Sequence, residues 1–229
     1  MLWYKAWCET RSRLGIAAVA VTAATGLVWH SDWQARGHER MFASYVWGAA
    51  GNDSVKAVFV LLAIVLGAGS LRQEQAMGTA GFTLALPVRR RQLVIARAAV
   101  GLCELCALAG FIGLLILSLS WSTWDPGAAA QTLRYVIQWS VCGGAVLALA
   151  LLASIAIPSP YLGWLVSLLG FFGYEAIVGV SGLGRYPAFD LYRLMSDPRA
   201  PWLALVAVAV AGTALVALGH LWLRSRDFA

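Results

Sequence analysis

Charge is what this sequence has least of. Only 12% of its 229 residues are Asp, Glu, Lys or Arg, while 60% are hydrophobic; a soluble domain carries about 25% charged residues. So few charges cannot cover the surface of a water-soluble globule of this size. A cytosolic enzyme and a disordered chain are both excluded. A nucleic-acid binder of the usual kind goes with them: the net charge is only +6, from 17 basic and 11 acidic residues, and in a membrane protein such an excess collects in cytoplasmic loops. Four cysteines, at positions 8, 103, 106 and 142, are too few and too apolar in context for a disulfide framework. Lysine occurs only as Lys5 and Lys56, neither of them after a glycine loop. A P-loop needs Gly-x4-Gly-Lys-Ser/Thr so that backbone amides and a lysine hold the phosphates. No such motif is present.

What is present is long apolar sequence. A bilayer core about 30 Å thick needs about 20 mostly apolar residues in a helix. Six stretches approach or meet that length: Leu14–Trp29, Val55–Leu71, Ala96–Trp121, Tyr135–Ile157, Tyr161–Val180 and Trp202–Leu223. The first two are short and borrow a turn from their flanks. Trp29, Trp33, Trp121, Trp124, Trp202 and Trp222 flank these stretches, as an aromatic belt requires. No signal-peptide cleavage site follows the first, and Glu9 dilutes its basic start. The expected fold is an all-α polytopic membrane protein, one transmembrane domain over residues 1–229. With the N-terminus inside, ten Lys and Arg residues fall on the cytoplasmic side and seven outside; the Arg89–Arg91 run lies close to a helix start, where the positive-inside rule counts most. Both termini are therefore expected inside.

Three segments stand apart from the spans. In residues 1–13, Leu2, Trp3, Ala6 and Trp7 share a helical face that Lys5, Glu9 and Arg13 avoid, the pattern of a short helix in the headgroup layer; a plain extension of the first span fits equally well. Residues 181–201 are broken by Gly and Pro and rich in Tyr and Phe, so they are expected to dip back into the outer interface. Residues 72–91 form the longest polar cytoplasmic segment. There Glu74 precedes Gly78-Thr79, Gly78 and Gly81 lower helix propensity, and Pro87 stops any helix before it. An acid and a turn on an exposed short helix make a docking element.

The pattern Glu74-x3-Gly78-Thr79, followed by Leu86-Pro87-Val88-Arg89, resembles the loop after the second helix of ABC-2 type transporter permeases. The resemblance implies a coupling helix that fits a cleft in an ATP-binding subunit, with Arg72, Glu74, Gly78, Thr79, Leu86, Pro87, Arg89 and Arg91 at the contact. It also implies six helices, an amphipathic N-terminal elbow and short re-entrant helices before the sixth span. The tail Arg224-Ser-Arg-Asp227-Phe is similar too. The family commonly has Ser or Thr before the last Arg of the motif, and Arg89-Arg90-Arg91 departs from this. On this resemblance two such permeases, identical or paralogous, sit over two ABC ATPase subunits in a bacterial-type inner membrane, among lipids and without nucleic acid. ATP and Mg belong to the partner, and no cofactor or metal is expected on this chain. The expected activity is export of an amphipathic molecule such as a lipid, peptide or antibiotic.

Other features compete with that reading. Gly179-Val-Ser181-Gly matches the Gly-x-Ser-Gly of rhomboid intramembrane proteases, and His220 lies in the sixth stretch; a Ser–His dyad is the runner-up chemistry. A third class is an ATPase-bound sensor that moves nothing. Cys103 and Cys106 are read as packing residues. Two acids lie inside apolar stretches, Glu104 and Glu175. A carboxylate at a span's centre costs about 2.5–3.5 kcal/mol on insertion scales, so it faces protein or a water-filled cavity. Glu175, with Phe172 and Tyr174 beside it, and Glu104 are the candidate substrate-path residues. Hydrogen bonding to a neighbouring helix is the alternative for both acids.

Overall fold

The computed structural model describes residues 2–36, 53–68, 90–119, 128–157, 159–197 and 199–225. Its regular structure is helical throughout: α1 Leu2–Arg36, α2 Asp53–Gly67, α3 Arg90–Leu119, α4 Ala128–Ala156, α5 Pro160–Ser181, α6 Leu191–Ser196 and α7 Trp202–Ser225, with a 3-10 turn at Leu183–Arg185. Among the described residues four helices are long and apolar enough to cross a membrane, over Val94–Ser118, Ala129–Ala156, Leu162–Ser181 and Trp202–Trp222. They correspond to the third to sixth apolar stretches. The fifteen residues of α2 reach about 22 Å at 1.5 Å per residue, short of a bilayer core. The expected continuation to Leu71 lies largely outside the described residues, among which four helices are candidate spans. Residues 2–13 run without a break into the first apolar stretch as one helix, α1.

The hub of the bundle is α4. It packs against α7, α3, α2, α5 and α6, while α1 lies on α3 and α2. Lipid tails are as apolar as leucine, so helices associate in a bilayer through close van der Waals packing, and small residues permit it. Two glycines show this directly. A Cβ on Gly67 would come 2.6 Å from the Leu147 carbonyl oxygen, and one on Gly143 would come 2.7 Å from the Phe59 ring. The ring of Phe59 in turn lies 4.9 Å from that of Trp139, and both are fully buried with Leu105, Leu108 and Phe171.

The contacts along α4 define the two ends of the bundle. Near its start, Trp139 meets the segment after α5. Near its finish, Leu151 and Ile155 pack with Val94 of α3, and Ile155 faces Gly219 of α7. The beginning of α3 and the finish of α7 therefore share one end, and α6 marks the other. α5 is delimited by local chemistry: Ser159 caps its start by accepting from the Leu162 N–H, Pro160 occupies the first turn, and Gly182 closes it at φ 73°. That left-handed conformation suits glycine, which has no Cβ to clash.

Candidate functional site

Between α5 and α7 the chain makes only short pieces of helix, and short helices leave most of their carbonyls without an intrahelical donor. Side chains, five of them from the surrounding long helices and one from α6 itself, supply further donors. Arg134 on α4 donates to the Ala200 carbonyl at 2.7 Å, Gln138 to that of Asp197 at 2.9 Å, and the Trp139 indole N–H to that of Met195 at 3.0 Å. From α2, Lys56 reaches the Tyr192 carbonyl at 3.4 Å and the Ser196 hydroxyl at 3.5 Å. Tyr174 on α5 donates to the Phe189 carbonyl at 2.7 Å, and Arg193 to that of Gly184 at 3.0 Å. Six carbonyls of the connection are thus held by six side chains. The Arg134 guanidinium also stacks over the Trp202 ring at 5.5 Å, tying the start of α7 to the same place.

Lys56 is the central cation of this end. It is 4% exposed, pairs with the exposed Asp53 at 2.8 Å and lies 5.2 Å from the Tyr192 ring centre. Glu175 sits across from it, half-buried, against the backbone N–H groups of Leu191 and Tyr192 and near Asp190. The carboxylate meets the positive end of short α6, whose cap Asp190 accepts from the Arg193 N–H at 2.7 Å. Burial, with the Glu175 and Asp53 carboxylates adding to it, pushes the Tyr192 phenol up to about 12.

The residues singled out from sequence fall as follows. Tyr174, Glu175 and Phe172 share the last turns of α5, with Tyr174 and Phe172 exposed and the Phe172 ring edge-on to Phe171 at 5.4 Å. Glu104 is not with them. It lies near the middle of α3, 1% exposed, and accepts a hydrogen bond from Thr10 of α1. Arg72, Glu74, Gly78, Thr79, Leu86, Pro87 and Arg89 lie outside the described residues, and Arg91 belongs to the first turn of α3. Ser181 closes α5, donating to the Val178 carbonyl at 3.4 Å and accepting from the Leu183 N–H at 3.5 Å. It leads into the connection beside Trp139, whereas His220 follows Gly219, which packs on Ile155. About 24 Å of α4 separates those two levels, so Ser181 and His220 form no dyad. Cys103 and Cys106 are exposed, and Cys142 is buried.

The sequence reading missed Lys56, Arg134, Gln138 and Trp139. Lys56 is named in that reading only as a lysine outside any glycine loop. A signal was available: Gln131, Arg134, Tyr135, Gln138 and Trp139 recur three and four residues apart, a polar stripe on a helix otherwise apolar enough to span a membrane.

The family described as ABC-2 family transporter protein matches this chain over residues 11–190. The chain belongs to that family. It is accordingly a multi-pass membrane protein and a permease of an ABC transporter, a transport component of a kind that is generally not catalytic itself. The match starts at Arg11 within α1, runs through α5 and ends at Asp190, the cap of α6, so the carbonyls held by Lys56, Arg134, Gln138 and Trp139 lie just beyond it. No curated protein matches the chain.

Proposed function

We propose that this chain is the transmembrane subunit of an ATP-driven ABC-2 type exporter, coupled to ATP hydrolysis in separate ABC ATPase subunits that dock on residues 72–91. The family match over residues 11–190 carries this reading. Two permeases, identical or paralogous, sit over two ATPases in a bacterial-type inner membrane with both termini cytoplasmic. ATP binding closes the ATPases, the docking loop passes that movement to the spans, and an amphipathic molecule such as a lipid, peptide or antibiotic leaves toward the α6 end.

The donor set around the α5–α7 connection supports a re-entrant role for residues 181–201. In hydrocarbon every unsatisfied backbone group costs several kcal/mol, and irregular backbone persists at that depth only where protein satisfies it. In water the same carbonyls would need no help from four buried or half-buried side chains of α2 and α4. Glu175, Tyr174 and Phe172 then stand at the outer end of the path, where exposed aromatic rings take an apolar body and the carboxylate attracts a cationic group.

The test begins at Glu74. A docking acid that loses its charge at a buried contact forfeits about 1–3 kcal/mol. Glu74→Ala is expected to reduce co-purification with the ABC ATPase subunit, or to leave it bound but unstimulated. Unchanged binding together with unchanged stimulated ATP hydrolysis would sink the docking assignment. Failure of the unsubstituted complex to export anything would favour a sensor.

A further inference from the structure

Three helices meet at a small half-buried polar node at the end of α2. Val65 lies in the last turn of α2, where carbonyls run out of intrahelical donors and the helix dipole favours a cation. Arg13 of α1 meets that need, its Nη1 donating to the Val65 carbonyl at 3.3 Å. One helical turn earlier on the same face of α1, the Thr10 hydroxyl donates to Oε1 of Glu104 on α3. The Arg13 guanidinium is also close enough to act on Glu104 electrostatically. Oε2 of Glu104 is buried and has no hydrogen-bond partner among the described residues. An uncompensated carboxylate oxygen near the middle of a span is expensive, and neither packing nor the substrate-path residues of α5 account for it.

The geometry points to Arg13, Thr10 and Glu104 as positioning residues that couple the end of α2 to α1 and α3. This inference rests on the docking role proposed for residues 72–91, because α2 runs through Gly67 toward that segment. Arg13 holds the Val65 carbonyl through its Nη1, and a guanidinium carries five N–H groups in fixed geometry. Oε2 of Glu104, without a hydrogen-bond partner among the described residues, is a second acceptor for the guanidinium. When the docking loop pulls on α2, the Val65 carbonyl moves away from Arg13, and the guanidinium turns to Glu104. The node therefore has two arrangements: one ties α1 to α2, and the other ties α1 to α3. Thr10 keeps the carboxylate in place in both. A carboxamide at 104 keeps the shape and the bond from Thr10 but removes the charge that makes the second arrangement competitive.

The experiment uses the full chain in lipid nanodiscs with its co-purified ABC ATPase, and the chain alone. Glu104→Gln and Arg13→Gln are each expected to leave the amount of bound ATPase and the KM for ATP unchanged. Both should lower kcat of the complex at least several-fold toward that of the isolated ATPase. The double variant should fall no further than either single one, because both cut the same link, and Arg13→Lys, which keeps a donor and the charge, should recover part of the loss. A merely structural role would lower bound ATPase and kcat together, without partial recovery by lysine. Intact complexes with unchanged kcat in both single variants overturn the proposal, and so do losses that add in the double variant. In the chain alone, Arg13→Gln is expected to speed hydrogen exchange at Leu66–Ala68; unchanged exchange there overturns it too. This second measurement needs no partner, so it separates failure of the node from failure of the docking reading, which shows instead as no ATPase bound to the unsubstituted chain. If Glu104→Gln does not fold, Thr10→Val carries the same test, with the same loss of kcat expected.

Discussion

A single indole nitrogen illustrates how the α6 end is held. The Trp139 N–H meets the Met195 carbonyl, and both residues are buried. Trp139→Phe retains a ring for Phe59 to pack on but leaves that carbonyl unsatisfied, at a cost of about 1–3 kcal/mol. The expected outcome is a lower melting temperature in detergent, with faster hydrogen exchange in α6 and none of that change in α3. A melting temperature equal to that of the parent would show that the bond adds nothing. The Lys56–Asp53 pair is a different case despite its 2.8 Å separation. Asp53 is exposed, and pairs open to solvent are worth about 0–1 kcal/mol. What makes Lys56 matter is its burial among backbone and aromatic groups of α6, not its ion pair. From sequence Lys56 is just a charge next to an apolar run, since its partners lie about 140 residues further on, at Tyr192 and Ser196.

Glycines on different helices have opposite consequences at the level of the elements. Gly67 abuts the backbone of α4, so Gly67→Ala forces α2 and α4 apart; overpacking of this kind costs about 1–3 kcal/mol. Gly170 on α5 has open space where a side chain would go. Gly170→Ala is there expected to be neutral, or stabilising by up to about 1 kcal/mol through helix propensity. Thermal melts of both variants in the same detergent check the contrast; equal shifts would mean that the α2–α4 approach is not as close as described. The third to sixth predicted stretches each fall on a described helix of spanning length, because periodicity is not needed to find them: apolar length is enough. Short helices before the sixth span are implied by the resemblance, but α6 carries no local signal of its own, since six residues give no periodic pattern and its stability comes from the caps and from donors on α2 and α4.

Taken as a whole, the bundle assigns its parts to two ends without reference to charge. The start of α3 and the finish of α7 meet the last turns of α4, and the connection containing α6 meets the first. A cysteine in the docking segment, such as Thr79→Cys, and a reporter after the C-terminus are therefore expected on the same side of the membrane. With that side cytoplasmic, a membrane-impermeant maleimide should label neither in intact cells and both in inverted vesicles. Labelling of both in intact cells would reverse the orientation, and labelling of only one would contradict the packing of α3 and α7 on α4.

The amino-acid sequence alone determined the solvent this protein lives in, the helical class and the family, because scarcity of charge, apolar length and a local motif are all properties of neighbouring residues. The tertiary structure decided what the polar residues inside those helices do. Glu104 and Glu175 look alike in sequence, as acids within apolar runs. One lies between α3 and α1, bonded to Thr10, and the other faces the N-terminus of α6 across from Lys56. Arg134, Gln138 and Trp139 become a row of donors only when the connection after α5 folds back onto α4. In an apolar medium a buried polar group must find a partner, and that partner lies on another helix, at a distance along the chain that no local pattern encodes.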